Sequence, residues 1–305
     1  FAPGLASFCS RTACCRRAAD YPLSPIPYSL TMGLLTDMLH SGLRRVAEAR
    51  ERVPEAALRA AVLGTPAPPP LHLDRHGFDV IAELKLRSPS LGDLSAATVD
   101  PVGRLEAYAE GGAAVCSILT EPTRFDGDLE HLRLAAETLQ PFGVPAMRKD
   151  FLVDPYQVIE ARAFGASGVL LIVRMVPREQ LVAMLDCAAE LGLFVLLEAF
   201  DADDLAVAES LAREREGRDE QVLMGLNCRD LETLEIDPRR FAELRGRLPF
   251  QWPAVAESGV LTPDDAARVA RLGYRMALVG TSLMRRSDPA RAVQELVEAG
   301  RKALR

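Results

Sequence analysis

From residue 79 onward the chain repeats one rhythm: a short apolar run, then a longer stretch with helical spacing. Eight apolar runs stand out, at 79–84, 114–119, 144–147, 168–173, 193–197, 222–226, 253–256 and 276–280. Their apolarity is continuous rather than alternating, which suits strands of a parallel sheet covered on both faces. The segments between them open with clear helix starts. Asp100-Pro101, Asp154-Pro155, Asp237-Pro238, Thr262-Pro263 and Asp288-Pro289 each put a side-chain acceptor at the N-cap and proline at the first helical position. Gly165, Gly192 and Gly273 follow helices just before the next run, as C-caps do. Strand–helix repeated eight times predicts an α/β fold, a (β/α)8 TIM barrel. An open doubly wound sheet is the alternative. However, the first run is followed by LRSPSLG, and no G-x-G-x-x-G or Walker A pattern occurs.

Ahead of the barrel, Leu35, Met38, Leu39, Leu43 and Val46 keep helical spacing and predict an extra N-terminal helix over 34–50. The proline-rich stretch from Pro66 to Pro70 ends that leader. Residues 1–31 have no period. They hold one acidic residue, three arginines, four prolines and three of the six cysteines. That composition fits a targeting peptide, but Met32 opens a clean amphipathic pattern. A non-native or unstructured extension is therefore the preferred reading, with 32–305 as one barrel domain. A metal site from Cys9, Cys14 and Cys15 lacks ligand spacing and a nearby histidine.

Composition narrows the partners. The charge is 36 − 43 = −7 and the pI about 5.3, so no nucleic-acid partner is expected. No run of eighteen apolar residues exists, so no membrane span is expected either. Cys116, Cys187 and Cys228 sit alone in apolar segments and read as reduced thiols of a cytoplasmic protein. The expected assembly is a monomer or weak homo-oligomer. Of 36 basic residues only three are lysine: Lys85, Lys149 and Lys302. Lys302 belongs to the solvated tail.

Barrels place their active sites at the C-terminal strand ends. Here those ends offer Glu83, Lys85 and Ser88; Thr120-Glu121; Arg148-Lys149-Asp150; Arg174; Glu198; Asn227-Cys228-Arg229-Asp230; Glu257-Ser258-Gly259; and Gly280-Thr281-Ser282. Both non-terminal lysines are among them. Glu83 and Lys85 are two apart on a strand and share a face. Burial readily lowers a lysine's pKa, so lysine can act as a general acid where arginine cannot. Such groups also pair as ordinary salt bridges. Two of three lysines converging with Glu83, Glu198 and Asn227 favour catalysis. Small residues at the last two strand ends, leading into a short helix, suit a substrate phosphate. The four histidines, His40, His72, His76 and His131, fall at no strand end, so a histidine-bound metal or a Ser-His-Asp triad is not expected. Cys228 has no histidine to activate it and reads as a packing thiol.

The segments IAELKLRSPSLG (81–92), ILTEPTRFDGDL (118–129), MRKDFLVDPYQVIEARAFGASGVLLIV (147–173), LLEAFD (196–201), GLNCRDLETLEID (225–237), AESGV (256–260) and LVGTSLMR (278–285) resemble the indole-3-glycerol phosphate synthase family, in order and at family spacing over roughly 34–300. The resemblance implies a barrel with an extra N-terminal helix and no metal or organic cofactor. It implies a carboxy-lyase of tryptophan biosynthesis that acts on 1-(2-carboxyphenylamino)-1-deoxyribulose 5-phosphate. By the same resemblance Lys149 is the acid of ring closure, and Lys85, Glu83 and Glu198 serve dehydration. Asn227 orients the substrate and Arg229 supports its loop. Ser88, Glu257, Ser258, Gly259, Gly280 and Ser282 fall on the substrate and phosphate side, and Phe125 and Phe151 shelter the anthranilate ring.

Four positions depart from the family pattern: Phe200 for a polar residue, Arg174 for a small one, and Asp126 and Asp128 around F-x-G-x-L. Leu91 also replaces a frequent lysine. None removes an acid or base, but Arg174 and the two aspartates are expected near the mouth, where a paralogue for a modified anthranilate would differ. Two further classes compete. An isomerase of an aminated ribulose phosphate would work with aspartate or cysteine pairs, and a non-catalytic scaffold would have an eroded acid–base set.

Overall fold

The computed structural model describes residues 33–74, 77–85, 87–88, 92–93, 100–217, 221–231, 233–249 and 251–305. The segment 1–31, with its three cysteines, lies outside the described residues, as do His76 and Leu91.

Eight parallel strands close into a barrel: β1 (Asp79–Leu84), β2 (Val115–Leu119), β3 (Ala146–Lys149), β4 (Gly168–Ile172), β5 (Phe194–Ala199), β6 (Val222–Asn227), β7 (Ala254–Glu257) and β8 (Met276–Val279). Each pairs with its sequence neighbours, and β1 closes on β8. Almost every strand residue is buried, because helices cover the outside and side chains fill the inside. The continuous apolar runs reflect this double coverage. A two-residue antiparallel pair, Arg87–Ser88 with Gly92–Asp93, follows β1 and falls outside the predicted strand set.

The third strand is the largest correction. It was expected over 144–147 and runs over Ala146–Lys149, with Leu119 registered against Lys149. Its last two residues are charged because Lys149 reaches the barrel mouth while Arg148 points into the strand–helix layer. A search for apolar runs stops short of them.

Four of the five expected helix starts hold. Asp100, Asp154 and Asp288 accept from backbone N–H groups of the first turn, and Thr262 forms a capping box with Asp265. Asp237-Pro238 does not start a helix. The Asp237 carboxylate accepts from the Arg239 amide and guanidinium, closing a turn, and the short helix begins at Arg240. Gly165, Gly192 and Gly273 have the positive φ of left-handed caps.

The expected leader helix is α1 (Leu34–Arg52), followed by α2 (Glu55–Leu63). Met38, Leu39 and Val46 bury the inner face of α1. Two polar anchors fix it. Tyr156 donates its hydroxyl proton near the carbonyls of Ala49 and Val53, at 3.1 and 2.9 Å. Arg45 grips both oxygens of Asp150 at 2.9 and 2.8 Å.

Candidate active site

Three acids and three bases converge inside the C-terminal mouth: Glu83, Glu198, Glu257, Lys85, Lys149 and Arg229. Strand alternation brings them there. Glu83 and Lys85 meet at 2.9 Å on the β1 end. The Lys149 ammonium, at the last residue of β3, lies 3.1 Å from Glu198 and 3.6 Å from Glu257. Asn227 donates to the other Glu198 oxygen at 2.7 Å and accepts the Arg229 amide at 2.9 Å. The Arg229 guanidinium donates to the Leu234 carbonyl, pinning the loop after β6.

Two glycines make room for the acids. A Cβ on Gly225 would lie 2.1 Å from a Glu257 oxygen, and one on Gly280 would lie 2.3 Å from a Glu83 oxygen. Gly280 was expected to serve only the phosphate side. It also vacates the space that the Glu83 carboxylate occupies.

The electrostatics reverse one expectation. Burial alone would lower the Lys149 pKa, but Glu198, Glu257 and Glu83 together outweigh it and raise it. Lys149 therefore holds its proton firmly in the unliganded site. Burial raises Glu83 as well, yet Lys85 and Lys149 prevail and hold it below the usual carboxylate range. Glu257 is pushed up to about 8, first by burial and then by Glu198, with Lys149 opposing. A carboxyl raised in this way holds its proton more readily than a free one, which weakens its negative charge against the three basic residues of the mouth. That suits an anionic ligand.

The cavity above these groups has distinct walls. Phe125 and Phe151 stand on one side with ring centroids 6.2 Å apart. Leu34 of α1 adds to the lining. On the other side Ser258 and Gly259 both adopt left-handed backbone, at φ 60° and 78°. Beside them the short helix Thr281–Met284 begins after Gly280. Its first amides have no acceptor within the helix, and the buried Ser282 hydroxyl has no partner among the described residues. Ser88 lies in the two-residue strand after β1, and its side chain is outside the described residues.

Sequence reasoning set Glu257 beside the phosphate residues; its carboxylate lies with Lys149 and Glu198. It also missed the apolar lining, such as Leu34, Leu170 and Leu234. Nothing in a sequence separates such leucines from core.

Other strand-end residues have work of their own. Thr120 donates to Asp150 at 2.8 Å, and Glu121 caps the short helix Pro122–Phe125. Asp126 and Asp128 end and begin helices. Arg174 pairs with Asp201 and Asp204 and lies over the Phe200 ring at 5.1 Å, outside the cavity lining. The expectation that Arg174 alters substrate fit is therefore corrected: two aspartates hold it away. Cys228 is buried and its thiol is pushed up to about 12 by that burial, so it is no nucleophile.

A family model described as indole-3-glycerol phosphate synthase matches residues 35–296. Proteins named indole-3-glycerol phosphate synthase from Kineococcus radiotolerans, Nocardioides sp. and Mycobacterium leprae are 44%, 41% and 39% identical to this chain. These matches cover 76%, 87% and 87% of the chain and 80%, 98% and 94% of the relatives. Among solved structures, a thiamine phosphate pyrophosphorylase from Pyrococcus furiosus superposes with a TM-score of 0.54 at 16% identity, over 75% of this chain and 98% of its own. A 3-hexulose-6-phosphate synthase from Salmonella typhimurium gives 0.53 at 14% identity, over 74% and 100%. At that identity these two share the barrel fold alone.

Proposed function

The chain belongs to the indole-3-glycerol phosphate synthase family, and from that premise we propose how its mouth divides the reaction. The reaction is the carboxy-lyase step of tryptophan biosynthesis. It closes the ring of 1-(2-carboxyphenylamino)-1-deoxyribulose 5-phosphate and releases CO2 and water to give indole-3-glycerol phosphate.

Lys149 protonates the ketone oxygen while the aromatic carbon bearing the carboxylate attacks carbon 2. Its proton is held in the resting site by three carboxylates and leaves only as alkoxide charge develops beside it. Loss of CO2 restores the aromatic ring. Lys85 then protonates the departing hydroxyl, and Glu83 and Glu198 are the carboxylates that take up the remaining proton. Asn227 fixes Glu198, and Arg229 fixes the loop over the substrate. Phe125 and Phe151 hold the anthranilate ring, while Ser258, Gly259, Gly280 and Ser282 take the phosphate, the side to which the family resemblance also assigns Ser88.

The observation that carries this reading is the Lys149 ammonium between Glu198 and Glu257, flanked by an aromatic wall and a turn with small residues. Arg174 and Asp128 have a structural partner or a cap to serve, which weakens the modified-anthranilate alternative. We also propose that the enzyme works as a monomer or weak homo-oligomer. No described helix is long and apolar enough to cross a membrane, and we propose a cytoplasmic enzyme. We also propose that 32–305 is the catalytic domain and 1–31 is dispensable. The test is indole fluorescence on adding the carboxyphenylamino substrate to wild type, to Lys149→Ala and to a chain lacking 1–31. Signal from the first and third alone is expected. Equal signal from all three would remove Lys149 from the mechanism.

A further inference from the structure

The helix Thr281–Met284 carries Ser282 and follows Gly280, two of the residues assigned to phosphate. Four residues do not hold a helix by themselves. The Met284 amide reaches back to the Gly280 carbonyl at 2.9 Å, and the rest of the support comes from other elements.

At the near end the support is a close packing contact. A Cβ on Gly280 would lie 2.3 Å from a Glu83 oxygen. At the far end it comes from α3 (Pro101–Glu110), the helix that follows β1. Arg104 and Tyr108 are four apart and share one face of α3. The Arg104 guanidinium donates to the Leu283 carbonyl at 3.0 Å. The Tyr108 hydroxyl, fully buried, points to the Met284 sulfur at 3.5 Å. Burial pushes the Tyr108 phenol up, and Arg104 beside it opposes that shift. A cation on the last carbonyls of a helical turn stabilises the turn. Arg104 does not line the cavity, so it acts through the turn and not on the ligand.

We infer that Arg104 is a positioning residue for the substrate phosphate: from the helix layer it holds the Gly280–Ser282 turn where its amides and the Ser282 hydroxyl meet that group. The inference rests on the reading that the phosphate lies at the β7–β8 end. It ties the phosphate turn to β1 twice, through Glu83 on the strand and through Arg104 on the helix that follows.

The experiment compares wild type, Arg104→Met and Arg104→Lys. Methionine keeps an unbranched apolar stem, and lysine keeps a charge and a donor. Each is assayed for turnover, for inhibition by inorganic phosphate and for inhibition by a substrate analogue without the phosphate. Removing a charged donor corresponds to about a 10- to 100-fold loss. Arg104 acts one bond away from the ligand, so about tenfold is expected. KM and the phosphate inhibition constant should both rise by that factor in Arg104→Met while kcat holds. Arg104→Lys should restore most of the loss. The analogue without phosphate should bind all three equally. Where the methionine variant folds poorly, Arg104→Gln supplies the same comparison. Weakening shared equally by phosphate and by the analogue would make Arg104 general scaffold and overturn the inference, as would unchanged phosphate inhibition. Ser282→Asp separates the two layers of the argument. If it abolishes phosphate inhibition and Arg104→Met leaves it intact, the inference alone falls; if neither variant alters it, the phosphate lies elsewhere and both fall.

Discussion

The two sides of one strand end are built on opposite rules. Arg148 and Asp150 point from the end of β3 into the layer between barrel and helices, and both are saturated. Arg148, at 1% exposure, donates to Thr120, Asp150, Glu160 and the Gln157 carbonyl. Asp150 accepts from Arg45, Arg148, Thr120 and the Phe151 amide. Lys149, between them, faces the mouth, where the ammonium is shared by two carboxylates and one of these, Glu257, is unsatisfied. Complete pairing fixes the backbone; incomplete pairing leaves groups ready for a ligand. Asp150 shows how well its side works: Arg148 and Arg45 outweigh its burial and hold its pKa far below the usual carboxylate range.

Substitutions on the two sides should therefore separate catalysis from stability. The largest effect is expected at Lys149→Ala, with kcat down by about 10²–10⁴ and the melting temperature unchanged. Lys149→Arg should not recover it, because a guanidinium keeps its proton at neutral pH. A melting shift as large as the activity loss would show that Lys149 belongs to the saturated side.

Asp150→Asn is the converse. It takes the carboxylate from Arg45 and leaves Arg148 with Glu160 alone, and breaking such a buried pair costs about 3–5 kcal/mol. In a domain of this size that is a fall in melting temperature on the order of 10 °C. Calorimetry of the unliganded protein reads it. A change under a few degrees would mean that the network is ornamental.

Ser282→Asp comes third. Its carboxylate would meet the substrate phosphate, so KM should rise by about tenfold or more while the helix start tolerates the charge. Inhibition by inorganic phosphate should disappear as well. An unchanged KM would place the phosphate elsewhere.

The smallest effect is a pH dependence. The folded Glu257 carboxyl titrates near 8, above its ordinary value of 4.5. The folded state thus binds a proton where the unfolded chain does not, so this residue's contribution to stability falls as pH rises through that window. Glu257→Gln removes the titration. Its melting temperature should exceed wild type by about a few degrees near pH 9, with the gap closing toward pH 5. A gap independent of pH would show that Glu257 does not titrate there.

How far this division is legible in the sequence depends on which side a residue faces. The barrel strands are visible because double coverage makes them continuously apolar, and β3 is misplaced only because its charged end serves two faces at once. Lys85 and Lys149 are conspicuous in an arginine-rich chain. Glu257 is visible as a strand-end acid, but its company is not: whether it meets phosphate or ammonium depends on barrel curvature and on Gly225 across the strand gap. The pairing of Arg45 with Asp150, 105 residues away, has no local pattern at all. The family resemblance located Phe125 and Phe151, which periodicity alone would have left in the core.

Gly225 and Gly280 carry a consequence for how this chain can drift. An alanine at either would be judged harmless by hydrophobicity, size class and strand preference, and the barrel could still close around it. It would nevertheless evict a carboxylate, from Glu257 in one case and Glu83 in the other. Lineages that still make the product are thus held at two positions that carry no functional group. In a descendant released from selection, loss of those glycines would be among the first silent signs, while every lysine and glutamate remained in place.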